Sequence, residues 1–503
     1  MKDKAMHRSN PASSAVSVPL NHDEDARLPA GQDPQDETET GGDRVIVHVA
    51  YPLWRKPTMV AVARAKELKE QGNDVRLSYC AQTGGTCAVN YAGLPVVCKI
   101  CQRGVRAMGK ELDLPLIPLT AGPPQQPTQT TLREKKEILH GVVSGIVSTF
   151  RTLPREVRRS RLAVGIKQRY FRTANQLLAG MKQAIADQRA TRVEVFNGRH
   201  ACSKFCLLAA RDAGIDVNTL EVTRNHLPIV FRGHTTHDRH AIQQRMLANE
   251  ANYEAADAFF SKNRTRAGNK FAKQHAEDFQ PPQVQATRKV AIFLSSQDEF
   301  ASLGKAWESP FEASDEVVRR LAEQYPETHF CVRFHPNQAD INTDIFSPFT
   351  DLEGRNNVTL YYPTDTANTY ALIDWSDVVV TFGSTLTIEA CWAGKPVVLL
   401  GPSFFDSLDV AYTPADLDGF LQLMAEELSS KSRENAARAA NYMLFDHDPM
   451  KYIRNVNGKL VPHGFVRRHA LPLRLARYFE VVTGRALKAW VGREQRQQGR
   501  HAA

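Results

Sequence analysis

The chain has 503 residues, of which 42% are apolar and 24% are charged, so it can bury two domain cores of ordinary composition. Its net charge of +9 and isoelectric point near 9.1 favour anionic partners, without choosing among nucleic acid, anionic lipid and sugar phosphates. No stretch approaches the ~20 apolar residues of a membrane span, and the N-terminus lacks a signal-peptide core. We therefore expect a cytoplasmic protein with reduced cysteines.

The N-terminal segment, residues 1–43, is rich in Asp, Glu, Pro, Ser, Gly and Asn and has few large apolar side chains. Such a composition cannot bury enough surface to offset the entropy of ordering the chain. We expect a disordered tail here.

Apolar runs alternate with helical patterns over residues 44–280, where we expect a first domain. The predicted strands are 45–49, 75–79, 193–196 and 217–222. Helices are predicted at 59–71, over most of 133–190, up to residue 210 and within 238–275, with a loop at 123–131. Strands that alternate with helices are typical of a parallel, doubly wound sheet.

The same alternation starts again after a proline-containing linker at 278–288 and gives a second domain, residues 288–450. The predicted strands are 289–294, 329–334, 358–362, 378–382 and 396–400. Helices are predicted at 313–324 and just before residue 375. Residues 451–503 are predicted to form basic C-terminal helices. The sequence therefore indicates an α/β protein with two Rossmann-like domains.

A turn that could face a phosphate follows the fourth strand of the second domain, where Gly383, Ser384 and Thr385 precede a predicted helix. A helix start offers free N–H groups, the hydroxyls add donors, and a glycine permits close approach. Glu389, one turn further, could accept a hydrogen bond from a sugar hydroxyl. Plain helix capping by Ser384 or Thr385 explains the same pattern equally well.

A second polar group, Arg333 and His335, follows an apolar strand and precedes Pro336. The two side chains alternate with apolar residues, so they share a face, and together they suit a phosphate or a carboxylate. Both polar groups fall at carboxyl ends of strands in one predicted sheet, where ligands of open α/β sheets bind. We therefore expect them to form one anion site.

These motifs resemble a known pattern. His335-Pro336 followed by Ser384-Thr385 resembles the His-Pro and Ser-Ser/Thr pair of bacterial sialyltransferases and Kdo transferases, which use CMP-activated sugars. The run 383–396 is similar to the capsule polysaccharide biosynthesis family more broadly. Segments 295–300 and 196–199 also resemble that group. The resemblance covers about residues 190–405 and is strongest in 289–405.

The resemblance implies a GT-B fold, with two Rossmann-like domains facing across a cleft, and a nucleotide-sugar donor held by the second domain. It implies that His335, Ser384 and Thr385 contact the nucleotide phosphate, without a catalytic metal. The acidic base of the sialyl and Kdo enzymes has no matching motif here, so CMP-, UDP- and GDP-sugars all stay open as donors. The enzyme would be a hexosyl- or CMP-sugar transferase acting on a saccharide or lipid-linked saccharide.

The reaction also needs a base for the acceptor hydroxyl. The candidates share an acidic or imidazole side chain near a predicted strand end or the domain junction: Glu194, Glu221, His226, Asp298 and Glu299. Asn197 and Arg199, after another strand, could hold a donor or acceptor anion, although a surface salt bridge fits Arg199 equally well.

Four cysteines, Cys80, Cys87, Cys98 and Cys101, crowd into one short stretch that ends in a CxxC. Four thiolates suit tetrahedral zinc and could also hold an iron–sulfur cluster. The spacing is not that of a standard zinc finger, so four reduced structural thiols are the alternative. Cys202 and Cys206 are one helical turn apart and indicate core positions.

Two segments are strongly basic: residues 151–172 carry eight Lys and Arg, and residues 467–500 carry nine, interleaved with large apolar side chains. A basic amphipathic helix with Trp490 could lie on the anionic inner membrane. Packing of this helix on the first domain, with a solvated basic face, is the alternative.

Two other functions fit the same pattern. A sugar-nucleotide epimerase of this fold would hold its nucleotide similarly but need no acceptor site. A non-catalytic anion- or nucleic-acid-binding protein would show salt-sensitive DNA binding without affinity for nucleotide sugars. No nucleic-acid-binding motif is visible, so we expect no nucleic-acid partner.

Overall fold

The computed structural model describes residues 42–120, 130–265, 278–311, 313–457, 459–464 and 470–502. The tail expected at 1–43 lies outside these ranges except for its last two residues. The loop expected at 123–131 and the end of the helical region at 266–275 also fall largely outside them. From residue 42 onward the described chain forms one compact unit.

The first half is built on a six-stranded sheet with the order β3-β2-β1-β4-β5-β6. Its strands are β1 (Arg44–His48), β2 (Asp74–Cys80), β3 (Leu116–Leu119), β4 (Arg192–Phe196), β5 (Asp216–Val222) and β6 (Pro228–Arg232). The first five are parallel, whereas β6 turns back at the edge and pairs antiparallel with β5. Neither β3 nor β6 was predicted, because both are short apolar runs without a clear period.

The described residues between 42 and 265 form eight helices. They are α1 (Arg55–Glu70), α2 (Pro95–Glu111), α3 (Leu132–Phe150), α4 (Pro154–Val157), α5 (Arg161–Gln188), α6 (Ala201–Asp212), α7 (Arg239–Ala248) and α8 (Tyr253–Arg264).

The second half contains a five-stranded, wholly parallel sheet with the order β11-β10-β7-β8-β9. Its strands are β7 (Arg288–Phe293), β8 (Thr328–Arg333), β9 (Val358–Tyr361), β10 (Val378–Thr381) and β11 (Val397–Leu399). Its helices are α9 (Gln297–Phe300), α10 (Ser314–Gln324), α11 (Thr369–Trp375), α12 (Leu386–Trp392), α13 (Leu417–Ala425) and α14 (Glu434–Phe445). Two such sheets confirm the predicted fold class, an α/β protein with two Rossmann-like halves.

The C-terminal segment is not purely helical, which corrects the prediction for 451–503. It begins with an antiparallel hairpin, β12 (Ile453–Val456) and β13 (Lys459–Pro462), and ends with the long helix α15 (Ala470–Ala502). The sequence Asn457-Gly458 is a strong two-residue hairpin signal, and Asn457 adopts a φ of 50°. Helix α15 packs on α2, α3 and α5, so the chain returns to the first half.

The packing of the helices places the boundary between the two halves before α7, which is earlier in the chain than the predicted linker. Side chains of α7 and α8, such as Met246 and Phe260, share one hydrophobic cluster with Val379 of β10 and Ile388 of α12. The boundary at 280–288 stays a prediction, but these two helices belong by packing with the second sheet. The polar sequence of these two helices does not show which of the sheets they pack against.

A buried ion pair lies in the first half. Glu194 on β4 is fully buried, and its carboxylate accepts hydrogen bonds from Arg64 on α1 at 3.0 and 3.3 Å and from Asn218 on β5 at 3.2 Å. Arg192 lies 3.4 Å away. Removing one partner of such a pair leaves an uncompensated buried charge, so Glu194 holds α1 against the sheet.

Glycine 180 allows helix α5 to approach the end of β3. A Cβ at this position would lie 2.6 Å from the carbonyl oxygen of Thr120, whereas a Cβ at Gly165 of the same helix meets only the end of the Arg169 side chain at 3.5 Å. We expect Gly180→Ala to lower the free energy of unfolding by about 1–3 kcal/mol through overpacking. Gly165→Ala should raise it by up to about 1 kcal/mol through helix propensity.

Urea denaturation of the two variants beside the wild type checks this prediction. Equal stabilisation of both variants would show that α5 can move away from Thr120.

Candidate functional site

The carboxyl edge of the second sheet carries the residues that the sequence singled out. Register places Thr381 of β10, Phe293 of β7 and Arg333 of β8 in one row across the sheet. The turns after these strands, 382–385, 294–296 and 334–336, therefore leave the same edge. Strands β8 and β10 flank β7, so the two predicted polar turns are about 10 Å apart at a strand spacing of ~4.8 Å.

Arg333 is the most unusual side chain at this edge. Only 6% of it is exposed, and it makes no hydrogen bond or ion pair from its side chain to any residue that the structure describes. Burial lowers the pKa of its guanidinium to about 10, which still leaves the group charged at neutral pH. A buried cation without a partner is costly, so it indicates a place prepared for an anion.

His335 begins a short 3-10 turn, Pro336–Asp340, that fixes its imidazole. Its Nδ1 accepts a hydrogen bond from the backbone N–H of Asn337 at 3.1 Å, and its own N–H donates to the side chain of Gln338 at 2.7 Å. Because Nδ1 is an acceptor, the proton of the neutral imidazole resides on Nε2. Sequence reasoning identified the proline but not this capping arrangement.

The turn at 383–385 has a more local role than the sequence suggested. Gly383 adopts a φ of +91°, and a Cβ there would lie 2.9 Å from the ring of Phe300. Ser384 caps α12, since its Oγ accepts the N–H of Leu386 at 3.2 Å. Helix α12 has only seven residues. The glycine therefore suits this packing, and contacts of Gly383, Ser384 and Thr385 with a phosphate stay a prediction.

Glu389 is a buried residue of α12, and its carboxylate accepts a hydrogen bond from the hydroxyl of Tyr370 at 2.5 Å. Burial raises the pKa of this carboxyl, opposed by Tyr370, Arg224 and Arg264. One carboxylate oxygen is thus already engaged, and a contact with a sugar hydroxyl stays a prediction.

A second polar edge lies at the carboxyl ends of β4 and β5 in the first half. Asn197, with a φ of 69°, donates from Nδ2 to Glu221 at 2.7 Å and accepts the N–H of Arg199 at 3.2 Å. Burial raises the pKa of Glu221 despite this hydrogen bond. The Arg199 guanidinium donates to Ser148 at 2.9 Å. The structure therefore brings these three predicted residues together.

Asp298 and Glu299 lie where the two halves meet. Arg151, at the end of α3, contacts Asp298 at 2.7 Å and Glu299 at 3.5 Å, and it also donates to the carbonyl of Asn337 at 2.5 Å. Asp298 is fully buried, and burial raises its pKa, opposed by Ser296 and Arg151. Both acids are thus engaged in a contact between the halves, and their role as catalytic base stays a prediction.

The remaining base candidates are also engaged by cations. Glu194 is enclosed by Arg64 and Arg192 within the first sheet, and the Nδ1 of His226 lies 3.0 Å from the ammonium of Lys56. Glu221 differs from the other acidic candidates because, among the described residues, it forms no ion pair. It also lies at the carboxyl edge of a sheet.

The four clustered cysteines receive no support as a metal centre. Among the described residues, which include all four, no three His, Cys, Asp or Glu side chains are placed to hold one ion. Burial raises the pKa of the Cys80 thiol to about 11, and the thiol of Cys98 accepts a hydrogen bond from Asn90 at 3.3 Å. Zinc or an iron–sulfur cluster at Cys80, Cys87, Cys98 and Cys101 thus stays an untested prediction.

Sequence reasoning missed Arg151 and three histidines near Arg199. Arg151 follows the end of α3 and adopts the left-handed conformation, with a φ of 53°. No local sequence pattern predicts this conformation for an arginine. His200 adjoins the motif that contains Asn197 and could have been found there, whereas His140 and His237 come from distant segments.

We expect Arg151→Gln to lower the free energy of unfolding by about 3 kcal/mol, because it leaves Asp298 buried without its cation. A carboxyl whose folded pKa is raised lowers stability as the pH rises from its unfolded pKa to its folded pKa, so the loss should be larger at pH 8 than at pH 5. Urea denaturation at both pH values measures it.

Arg355→Gln, which removes an exposed pair with Glu323 at 3.0 Å, is the matched control and should cost less than about 1 kcal/mol. The double variant Arg151→Gln/Asp298→Asn should recover most of the loss. A double variant no more stable than Arg151→Gln would exclude the ion pair as the cause.

Comparisons with solved structures give weak likenesses. The KpsC β-Kdo 2,4-transferase of Thermosulfurimonas dismutans is 14% identical, with a TM-score of 0.34 over 59% of this chain and 87% of its own. The S. aureus MnaA structure with UDP is 12% identical, at 0.26 over 80% and 96%. The Streptomyces glycosyltransferase SsfS6 with thymidine diphosphate is 12% identical, at 0.21 over 88% and 99%. Scores this low carry no argument about chemistry.

A match to a protein family is more informative. No curated protein gives a significant match to the chain. Residues 235–416 match the family described as capsule polysaccharide biosynthesis protein. The matched segment contains α7, α8, the whole second sheet, Arg333, His335 and the turn at 383–385, which confirms the predicted resemblance. This part of the chain, with the second sheet and its polar edge, is similar to the capsule polysaccharide biosynthesis family.

Proposed function

We propose that the protein is a glycosyltransferase that moves a sugar from a nucleotide-activated donor onto a growing surface or capsular polysaccharide. The observation that carries the proposal is Arg333, a buried guanidinium at the carboxyl edge of the sheet within the matched family segment, with no ion pair to any described residue. Ligands of open α/β sheets bind at this edge, and a nucleotide phosphate would supply the missing anion.

The departing nucleotide phosphate needs positive charge and hydrogen-bond donors. Arg333 supplies the charge. We assign as further donors the Nε2–H of His335 and the hydroxyl of Thr385, from the turns after β8 and β10, where the hydroxyl would exchange its hydrogen bond to Glu389 for one to the phosphate. The donor nucleotide, whether CMP, UDP or GDP, is left to experiment.

The acceptor hydroxyl needs a base, for which we propose Glu221. Burial raises the pKa of this carboxyl, which makes it a stronger base than an ordinary glutamate, and Asn197 orients it. The acceptor oxygen attacks the anomeric carbon as the bond from that carbon to the phosphate oxygen breaks. Its proton passes to Glu221, and the bonding electron pair leaves with the phosphate. An epimerase would need no acceptor, so this second polar edge favours a transferase.

Replacing Arg333 tests the donor site. We expect one of CMP, UDP and GDP to raise the Tm of the wild type, and Arg333→Gln to weaken that nucleotide about 10- to 100-fold through loss of a charge-assisted hydrogen bond. Without nucleotide, the variant should be at least as stable as the wild type, because the buried charge is gone. Thermal-shift titrations measure both quantities.

Two further variants serve as controls. Arg320→Gln changes an exposed arginine on α10 and should bind as the wild type does. Glu221→Gln should keep the nucleotide shift while slowing sugar transfer about 100-fold or more. A wild type that responds to no nucleotide, or an Arg333→Gln variant that responds unchanged, would refute the donor site.

We also propose that α15 docks the protein on a bilayer that contains anionic lipid. Leu473 and Val491 are buried against the first half, whereas one set of large apolar side chains on the helix is exposed: Leu475, Tyr478, Phe479, Val482 and Trp490. Exposed arginines, Arg474 and Arg485, accompany them. Apolar and aromatic groups beside cations match the interface of an anionic bilayer. No helix among the described residues is long and apolar enough to cross a membrane.

Vesicle sedimentation tests this docking. Phe479→Ser/Trp490→Ser should reduce binding to vesicles of phosphatidylglycerol and phosphatidylcholine at least 10-fold. The reason is that burial of each side chain in the bilayer interface contributes about 1.5–3 kcal/mol to the free energy of binding. Phe445→Ser removes an aromatic that is 56% exposed on α14 and should have no effect. The proposal would be contradicted if the wild type and the double variant bound equally. It would also be contradicted if wild-type binding did not depend on the anionic lipid.

A further inference from the structure

Four side-chain nitrogens beside the edge of the first sheet are enclosed yet have no hydrogen-bond partner among the residues that the structure describes. They are Nε2 of His140, Nε of Arg199, Nδ1 of His200 and Nδ1 of His237. A buried donor or acceptor left unpaired costs about 1–3 kcal/mol, and native proteins hold few of them. Four together indicate that a group beyond the described residues completes them.

The four side chains form one cluster from separate elements. Arg199 contacts His200, with 3.0 Å between a guanidinium nitrogen and Nε2, and Lys204 on α6 lies 3.3 Å from Nδ1 of His140 on α3. The charges of Arg199 and Lys204 both act on His237, which precedes α7.

The second half closes the cluster from the other side. The indole of Trp307 donates to the carbonyl of His237 at 3.2 Å, and the ring of His140 lies 3.0 Å from the position of a Cβ on Gly304. The cluster therefore lies where the two halves meet.

Tautomers show which of these nitrogens carry hydrogens. Arginine and lysine only donate, so Nε2 of His200 and Nδ1 of His140 are acceptors. The proton of each neutral ring then resides on the other nitrogen, Nδ1 of His200 and Nε2 of His140, which are the unpaired ones. The Nε of Arg199 is also a donor. At least three of the four unpaired groups therefore offer a hydrogen to a missing acceptor.

The charges around the cluster leave one cation unbalanced. Lys204 forms an ion pair with Glu137 at 2.7 Å, and Arg151 forms ion pairs with Asp298 and Glu299. Arg199 has no ion pair within bonding distance among the described residues, although Glu221 and Glu299 act on it from further away. Burial lowers the pKa of His237 to about 3 and that of His140 to about 4, so these rings are neutral donors.

We infer that Arg199, His140, His200 and His237 form a binding site for an oxyanion, a carboxylate or a phosphate, carried by the acceptor glycan. Unpaired donors around a lone guanidinium match the acceptor-only oxygens of such a group. The inference rests on the proposed transferase function, and it assigns the group to the acceptor because the site lies beside Asn197 and Glu221. The proposed phosphate site for the donor is on the other sheet.

The experiment titrates the full chain with inorganic phosphate, glucuronate or neutral glucose and follows the Tm. An Arg333→Gln background removes the proposed nucleotide phosphate site as a second place for free phosphate. In that background, Arg199→Met should weaken phosphate or glucuronate binding about 10- to 100-fold, and glucose should give no shift. The probe with the larger shift identifies the anionic group of the acceptor.

Two histidine variants separate binding from structure. His237→Phe should also weaken the anion, while its Tm without ligand should equal or exceed that of the wild type, because an unpaired polar atom is removed. His240→Leu, on the exposed surface of α7, should behave as the wild type. A lower Tm for His237→Phe with unchanged anion binding would assign the cluster a purely structural role and overturn the inference.

A parallel nucleotide titration of the chain with Arg333 intact distinguishes the two proposals. A nucleotide response with no anion response, or with an anion response that survives Arg199→Met, overturns the acceptor site alone. An anion response that depends on Arg199, without any nucleotide response, refutes the transferase and leaves an oxyanion site of another function.

Discussion

A buried ion pair between Arg151 and Asp298 joins the two halves where they carry the candidate site. Arg151 ends α3 of the first half, and Asp298 follows the first strand of the second half, where it is fully buried. Separating a buried carboxylate from its cation is costly, so the pair favours the arrangement in which the halves meet here. The same guanidinium holds the carbonyl of Asn337, which ties this contact to the turn that orients His335.

Much of the fold could be predicted because parallel strands are buried on both faces. Their apolar runs, such as 378–381 and 193–196, are visible in the sequence and appear as β10 and β4. The polar residues that follow β8 and β10 could be placed on one edge by the same reasoning, since parallel strands all end on the same side. The register of Thr381 with Phe293 and Arg333 is consistent with that placement.

Features that depend on distant packing were not accessible to sequence reasoning. Helices α7 and α8 appear polar, yet they cover the second sheet. The contact between Gly383 and the ring of Phe300 could not be predicted, because Phe300 comes from a distant segment. The cluster around Arg199 joins α3, α6 and the approach to α7, and only the fold brings these segments together. A local pattern predicts elements and strand ends, whereas a partner is defined by tertiary structure.

The return of the chain to the first half has a consequence for how substrates would arrive. Helix α15 packs on α2, α3 and α5, which accompany the first sheet and its polar edge. If this helix rests on a bilayer, it tethers the half that carries Glu221 and Arg199. A lipid-linked glycan could then reach that half by lateral diffusion in two dimensions, while the nucleotide sugar exchanges with the aqueous phase at the other half.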